Sequence, residues 1–159
     1  MEKENVRIVT LGIGRVVSFS GYGVQPEYEA WAKLQAYASP RNEMKEIGKN
    51  RRVFGFNNPN PSPGSPEYGY EFWYLLRPGE EARGAENVKE FSGGRYAVLR
   101  CQVEGDPEVI PSGWKTLVTW QEENGYRRGS HQWLEEMIEW EQISRGRFTL
   151  DLYLPLAEE

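Results

Sequence analysis

Two acidic residues in this chain interrupt strand-like runs of rings and aliphatics. They are Glu71, in Tyr70-Glu71-Phe72-Trp73-Tyr74-Leu75-Leu76, and Asp151, in Leu150-Asp151-Leu152-Tyr153-Leu154. With the two-residue period of a strand, Glu71, Trp73 and Leu75 share one face and Tyr70, Phe72 and Tyr74 the other. The second run repeats the arrangement, with Asp151, Tyr153 and Pro155 opposite Leu150, Leu152 and Leu154. An unpaired carboxylate among such neighbours is costly, so it needs a partner, a raised pKa or a ligand that brings positive charge. A neighbouring arginine, Arg15, Arg52 or Arg95, would satisfy Glu71. Alternatively, Glu71 and Asp151 line a pocket for a flat, lipophilic cation, where rings add stacking and cation–π attraction of about 0.5–2 kcal/mol per good contact. Two nearby carboxylates also suit general acid–base work of the glycosidase kind, but sequence does not give their separation.

Other chemistry is thinly represented. Cys101 and His131 are the only residues of their kinds, which excludes an internal disulfide and a zinc site built from several Cys or His ligands. A Cys–His nucleophile pair is formally open, yet Cys101 sits in the alternating run 95–101 and reads better as a buried strand thiol, and His131 reads as an exposed residue. Gly12-Ile13-Gly14-Arg15 lacks the third glycine of a dinucleotide fingerprint and precedes a strand, so it is set aside. No metal or cofactor is expected. With 19 basic and 24 acidic residues the net charge is −5, the wrong sign for a protein that tracks phosphates, so direct nucleic-acid binding is not expected. No apolar run reaches the ~20 residues of a membrane span and the N-terminus lacks a signal-peptide core, so a cytoplasmic location is expected. Hydrophobic residues make up only 38% of the chain, while it holds six Trp, nine Tyr and six Phe, so its apolar surface must come largely from rings.

The elements that must position the acids emerge when the sequence is laid over itself at an offset of 80 residues. Gly14-Arg15 falls on Gly94-Arg95, Leu11 on Phe91, Val17 on Ala97, Phe19 on Leu99 and Glu71 on Asp151. A three-residue insertion then aligns Trp31, Leu34 and Tyr37 with Trp114, Leu117 and Trp120. The reading is one domain over 1–159, built from two modules, about 1–82 and 83–159. In the first, strands are expected at 6–11, 14–20, 51–57 and 69–77. A helix begins at Pro26, with Glu27 and Glu29 in its first turn, and stops at Ser39-Pro40. The proline-rich connector NNPNPSPGSPEY excludes helix and central strand. The second module has strand material from near Val88 through Val103 and a helix from about Ser112 to Glu122. An added helix follows from near Ser130, on which Trp133, Met137 and Trp140 form an i, i+4, i+7 stripe and Glu135, Glu136 and Glu139 a solvated face. The closing strand is 147–156. Contiguous strands favour an α+β class with antiparallel pairing, a duplicated unit with pseudo-twofold symmetry, two main helices and one added helix.

The segment FGFNNPNPSPGSPEYGYEFW, 54–73, together with WLEE at 133–136 and LDLYLPL at 150–156, closely resembles the GyrI-like small-molecule-binding domain, which also occurs as the effector-binding domain of AraC-type and MerR-type multidrug-sensing transcription regulators. The resemblance covers essentially the whole chain. It implies a duplicated β-α-β-β module, a curved sheet and a ligand groove at the pseudo-twofold axis that takes hydrophobic, often cationic, aromatic compounds. By position it implies Glu71 and Asp151 as the groove acids, the latter shorter than the usual Glu, with Phe56, Tyr68, Trp73, Trp133 and Tyr153 as groove rings. Strand 1 begins within about six residues of Met1, so the expectation is a free-standing binding protein for multidrug sensing or sequestration, without the helix-turn-helix module of the regulators. Two further roles accompany the resemblance. One is hydrolysis of cyclopropane-containing DNA-alkylating compounds, with Glu71 as a catalytic acid of raised pKa. The other is a protein-interaction role like that of gyrase inhibitors.

Overall fold

The computed structural model describes residues 5–85 and 87–158. The chain forms two compact units, and they do not follow the sequence halves. Residues 14–91 make a central unit, and 1–13 with 92–159 make a terminal unit.

The central unit contains β2 (Gly14–Gly23), α1 (Pro26–Ala38), β3 (Val53–Asn57), β4 (Tyr68–Leu75) and β5 (Val88–Phe91). All its strand pairs are antiparallel, in the order β3-β4-β2-β5. Pro26 opens α1, Glu27 and Glu29 lie in its first turn, and the helix buries Ala30, Leu34, Tyr37 and Ala38 at helical spacing. These pack on one face of the sheet, where Trp31 meets Phe72 edge-on at 5.3 Å and Tyr37 meets Tyr74 at 5.4 Å.

The terminal unit repeats that plan with β1 (Arg7–Leu11), β6 (Gly94–Glu104), α2 (Val109–Glu123), β7 (Leu134–Glu139) and β8 (Arg147–Leu156), in the order β1-β6-β8-β7. Here β7 stands where β3 stands in the central unit, β8 for β4, β6 for β2, and β1 for β5. The short first strand therefore pairs within the second repeat, and its counterpart Val88–Phe91 pairs within the first. Helix α2 buries Gly113, Leu117 and Gln121. A Cβ on Gly113 would lie 2.6 Å from Cys101 Sγ and 2.9 Å from Leu152 Cδ1, so glycine sets the closest approach of α2 to its sheet. Cys101 is accordingly a buried strand thiol. Pro155 is accommodated because β7 stops pairing at Tyr153, leaving the end of β8 bonded to β6 alone among the strands.

The fold is α+β, with antiparallel strands and two α-helices among the described residues. The expected added helix is absent: residues 134–139 are strand β7, bulged between Met137 and Glu139. The Trp133-Met137-Trp140 spacing is accidental, and backbone pairing with β8 overrides it, a common outcome for short segments whose local propensity is ambiguous. His131 accordingly precedes a strand rather than opening a helix. It is half-buried, with Nε2 2.7 Å from the Arg95 carbonyl oxygen and its ring edge-on to Tyr96.

One buried ion cluster anchors the central unit. The Arg51 side chain is fully buried and donates to Glu43 (2.5 Å), to both oxygens of Glu80 (2.8 Å each) and to the Leu75 carbonyl oxygen (2.8 Å), while its guanidinium lies over the Tyr74 ring. Hydrogen bonds from Arg51 hold the Glu80 carboxyl down at about 2. Arg51→Met would strand two carboxylates that were paired, and urea unfolding should show a loss of about 3 kcal/mol or more; a loss below about 1 kcal/mol would mean that the cluster is already solvated.

Candidate functional site

In each unit the helix covers one sheet face, and the strand acid lies on the other. In the central unit the cross-strand register aligns Phe56 and Ser20 with Glu71, and Phe54 and Ser18 with Trp73, so these share a face turned away from α1. Lys89 enters the same face from β5, opposite Val16.

Glu71 is buried, and its carboxylate is fully engaged. Oε2 accepts from Ser18 Oγ (2.6 Å), Trp73 Nε1 (2.6 Å) and Lys89 Nζ (2.8 Å), while Oε1 accepts from Asn58 Nδ2 (3.1 Å). Asn58 reaches the acid because the start of the connector docks on β4: Asn58 N–H donates to the Gly69 carbonyl oxygen and Gly69 N–H to that of Pro59. A Cβ on Gly69 would fall 1.9 Å from the Asn58 carbonyl oxygen, so only glycine permits this approach. Around the acid, Trp73 meets Phe56 edge-on at 4.7 Å and Phe91 at 5.3 Å, and Phe91 stacks on Phe54. Trp73 remains partly exposed. The partner of Glu71 is thus a lysine, not Arg15, Arg52 or Arg95. Desolvation pushes the Glu71 pKa up, but hydrogen bonds from Lys89, Ser18, Trp73 and Asn58 outweigh it, and the pKa lies below the ordinary carboxylate value. The raised pKa expected for a proton donor is therefore not found.

In the terminal unit Arg100, Asp151 and Glu136 are cross-strand neighbours on one face, and Tyr153 follows on the same face. Asp151 is buried. It is gripped by Arg100 through both oxygens (Nε to Oδ1 2.9 Å, Nη2 to Oδ2 3.1 Å) and by Arg7 Nη2 at Oδ2 (2.8 Å). Burial raises its pKa, but the hydrogen bonds from Arg100 and Arg7 prevail and lower it. Tyr153 donates to Glu136 Oε1 at 2.5 Å. Glu136, read from the sequence as part of a solvated helix face, is 6% exposed and stands where the central unit has Phe56. Only a strand reading of 134–139 would have found it.

The structure brings Phe56, Glu71 and Trp73 together in one unit and Asp151 and Tyr153 together in the other. Tyr68 and Trp133 lie on the helix-covered sides. Tyr68 shares the face of Tyr70 and Phe72, and its hydroxyl donates to Glu27 of α1 at 2.5 Å; burial, then Glu27, pushes its pKa up to about 12. Trp133 packs on Trp114 of α2 at 5.3 Å, under Arg128. Phe54, Phe91, Ser18, Asn58 and Lys89 complete the Glu71 face without having been named from the sequence. A separate cavity of about 320 Å³ opens at one end of β6 and β8, where Gln102, Glu104, Glu139, Trp140 and Phe148 line it; neither strand acid and none of Phe56, Tyr68, Trp73, Trp133 and Tyr153 takes part. Among the described residues no cluster of three or more His, Cys, Asp or Glu side chains is placed to hold a metal, and no helix is long and apolar enough to cross a membrane.

Both strand acids have lowered folded-state pKa values, so the unfolded chain binds more protons as pH falls below its carboxyl range of about 4. Their stabilisation is present above that range and is lost as pH drops through the lower folded values. The urea midpoint should be flat from pH 7 to about 5 and fall below it, and Glu71→Gln should flatten the acid limb. A midpoint that rises on acidification would contradict the assigned directions.

The sequence pattern of the integron-associated effector-binding proteins, called Cass2, matches residues 7–156. No curated protein matches the chain. Solved structures resemble it throughout. A protein solved bound to tetraphenylphosphonium is 9% identical, with a TM-score of 0.55 over 99% of this chain and 94% of that one. The C-terminal domain of EcmrR is 12% identical, with a TM-score of 0.61 over 97% and 98%. A hydrolase from Listeria innocua is 14% identical, with a TM-score of 0.62 over 96% and 92%. At these identities the likeness is one of fold.

Proposed function

Because the chain belongs to the integron-associated effector-binding family of GyrI-like small-molecule-binding domains, we propose that it binds hydrophobic, aromatic, cationic small molecules at the Glu71 face, in the service of multidrug sensing or sequestration. The observation that carries this reading is the composition of that face: a buried carboxylate, ionised at neutral pH, beside the partly exposed ring of Trp73 and walled by Phe54, Phe56 and Phe91. Buried negative charge favours a cation, and rings supply dispersion and cation–π attraction that survive in a dry site. Asp151, Tyr153 and Glu136 form the matching face of the other unit, where the acid is more tightly held. The tetraphenylphosphonium bound by a protein of the same fold is a compound of this class.

Hydrolysis with Glu71 as proton donor draws no support from this site, because its carboxyl is held ionised by four donors. A water-orienting role would need the same oxygens that Ser18, Trp73, Lys89 and Asn58 occupy.

Titration with tetraphenylphosphonium or a rhodamine dye should quench Trp fluorescence reversibly and stoichiometrically. Glu71→Gln should weaken the cation by about tenfold or more, the range of one lost charge-assisted contact, and a neutral aromatic of the same shape far less. Equal weakening of both would remove the charge from the account, and steady consumption of the compound would replace binding with turnover.

A further inference from the structure

We propose that Lys89 is the specificity-determining residue of the Glu71 face, a tethered cation that occupies the place of a ligand's positive charge and is exchanged for it. The inference rests on the reading of that face as a small-molecule site. Lys89 Nζ lies 2.8 Å from Glu71 Oε2, and its side chain is 49% exposed against 3% for its partner. The ammonium is thus the one charged group on the carboxylate among its hydrogen-bond donors, and it sits at the border between that acid and solvent. The other three donors, Ser18, Trp73 and Asn58, are neutral. When Lys89 swings away they stay in place, so the carboxylate remains oriented while its charge goes unbalanced.

A lysine suits this exchange better than an arginine. Its ammonium is a compact, strongly hydrated point charge on a flexible four-carbon stem, and the side chain as a whole is already half exposed. Asp151 supplies the contrast, since a monocation arriving there would have to displace three charge-assisted bonds from two guanidinium groups, one of them bidentate. Glu71 is therefore the acid at which a ligand charge can be swapped for a protein charge. A neutral aromatic that pushed Lys89 aside would leave a buried carboxylate uncompensated. A lipophilic monocation, such as a phosphonium, a quaternary ammonium or a delocalised dye, restores the balance and places its aromatic groups against Trp73.

The test compares a matched pair, methyltriphenylphosphonium and neutral triphenylphosphine oxide, titrated by Trp fluorescence against wild type, Lys89→Met, Lys89→Gln, and the double variant Glu71→Gln/Lys89→Met, with circular dichroism melting as the check on folding. Both single variants should bind the phosphonium about tenfold more tightly than wild type, shift the oxide less than about twofold, and lose the gain once Glu71 is also neutral. If wild type binds the phosphonium and both Lys89 variants bind it equally or more weakly, the exchange is overturned while the ligand reading stands. Equal gains for both compounds would make Lys89 a steric plug and overturn it too. If no form binds either compound, the Glu71 face is not a ligand site and both readings fall together.

Discussion

A carboxylate removed from water loses a large hydration energy, and the Glu71 side chain, 3% exposed, recovers it through four donors drawn from three strands and the proline-rich connector. That requirement ties together features that otherwise look unrelated. The connector must fold back so that Asn58 reaches Oε1, which in turn requires Gly69 beneath it. Ser18 must face away from α1, which fixes the register of β2 against β4. The short strand β5 must pair with β2 so that Lys89 arrives opposite Val16. Trp73 is held by the same oxygen through its indole N–H, so the acid orients the ring beside it.

The terminal unit solves the same problem with different chemistry. Asp151 lies one methylene shorter than a glutamate, and two arginines, from β1 and β6, come to it. Opposite it stands Glu136, which accepts the Tyr153 hydroxyl, where the central unit places Phe56. Duplication has preserved the backbone plan and the position of the strand acid, while the shells around the two acids have diverged. One is mostly neutral donors with a single ammonium; the other is a guanidinium clamp from two arginines. On the proposed reading, this asymmetry separates a charge that a ligand can reach from one that holds strands together.

Much of this was legible in the sequence, and the failures have physical causes. Pro26 and Ser39-Pro40 bracket α1 because proline starts and stops helices through its fixed φ and missing N–H, and both signals are local. Strands β3, β4 and β8 were readable because each is a run rich in rings and aliphatics set off by Pro or Gly, the mark of a strand buried on both faces. Residues 134–139 were not, since Trp133, Met137 and Trp140 fit a helix as well as a strand, and the choice was made by β8, which the local sequence does not contain. Glu136 was lost with that choice. The partner of Glu71 was hidden for a related reason: it depends on β5 pairing with β2, whereas Val88 reads from the sequence as the start of the second module and the candidate arginines lie on strands expected to be adjacent. The Trp73 and Phe56 rings were named because they neighbour the acid or the proline-rich signature; Phe54 and Phe91 meet it only through cross-strand register.

The measurement that bears most directly on Glu71 as the ligand-facing acid is a crystal structure with methyltriphenylphosphonium bound. The account predicts the phosphonium against Trp73 with its charge toward Glu71, Ser18, Trp73 and Asn58 still on the carboxylate, and Lys89 Nζ withdrawn from Oε2. A ligand seated elsewhere, with the 2.8 Å Lys89–Glu71 contact intact, would contradict it.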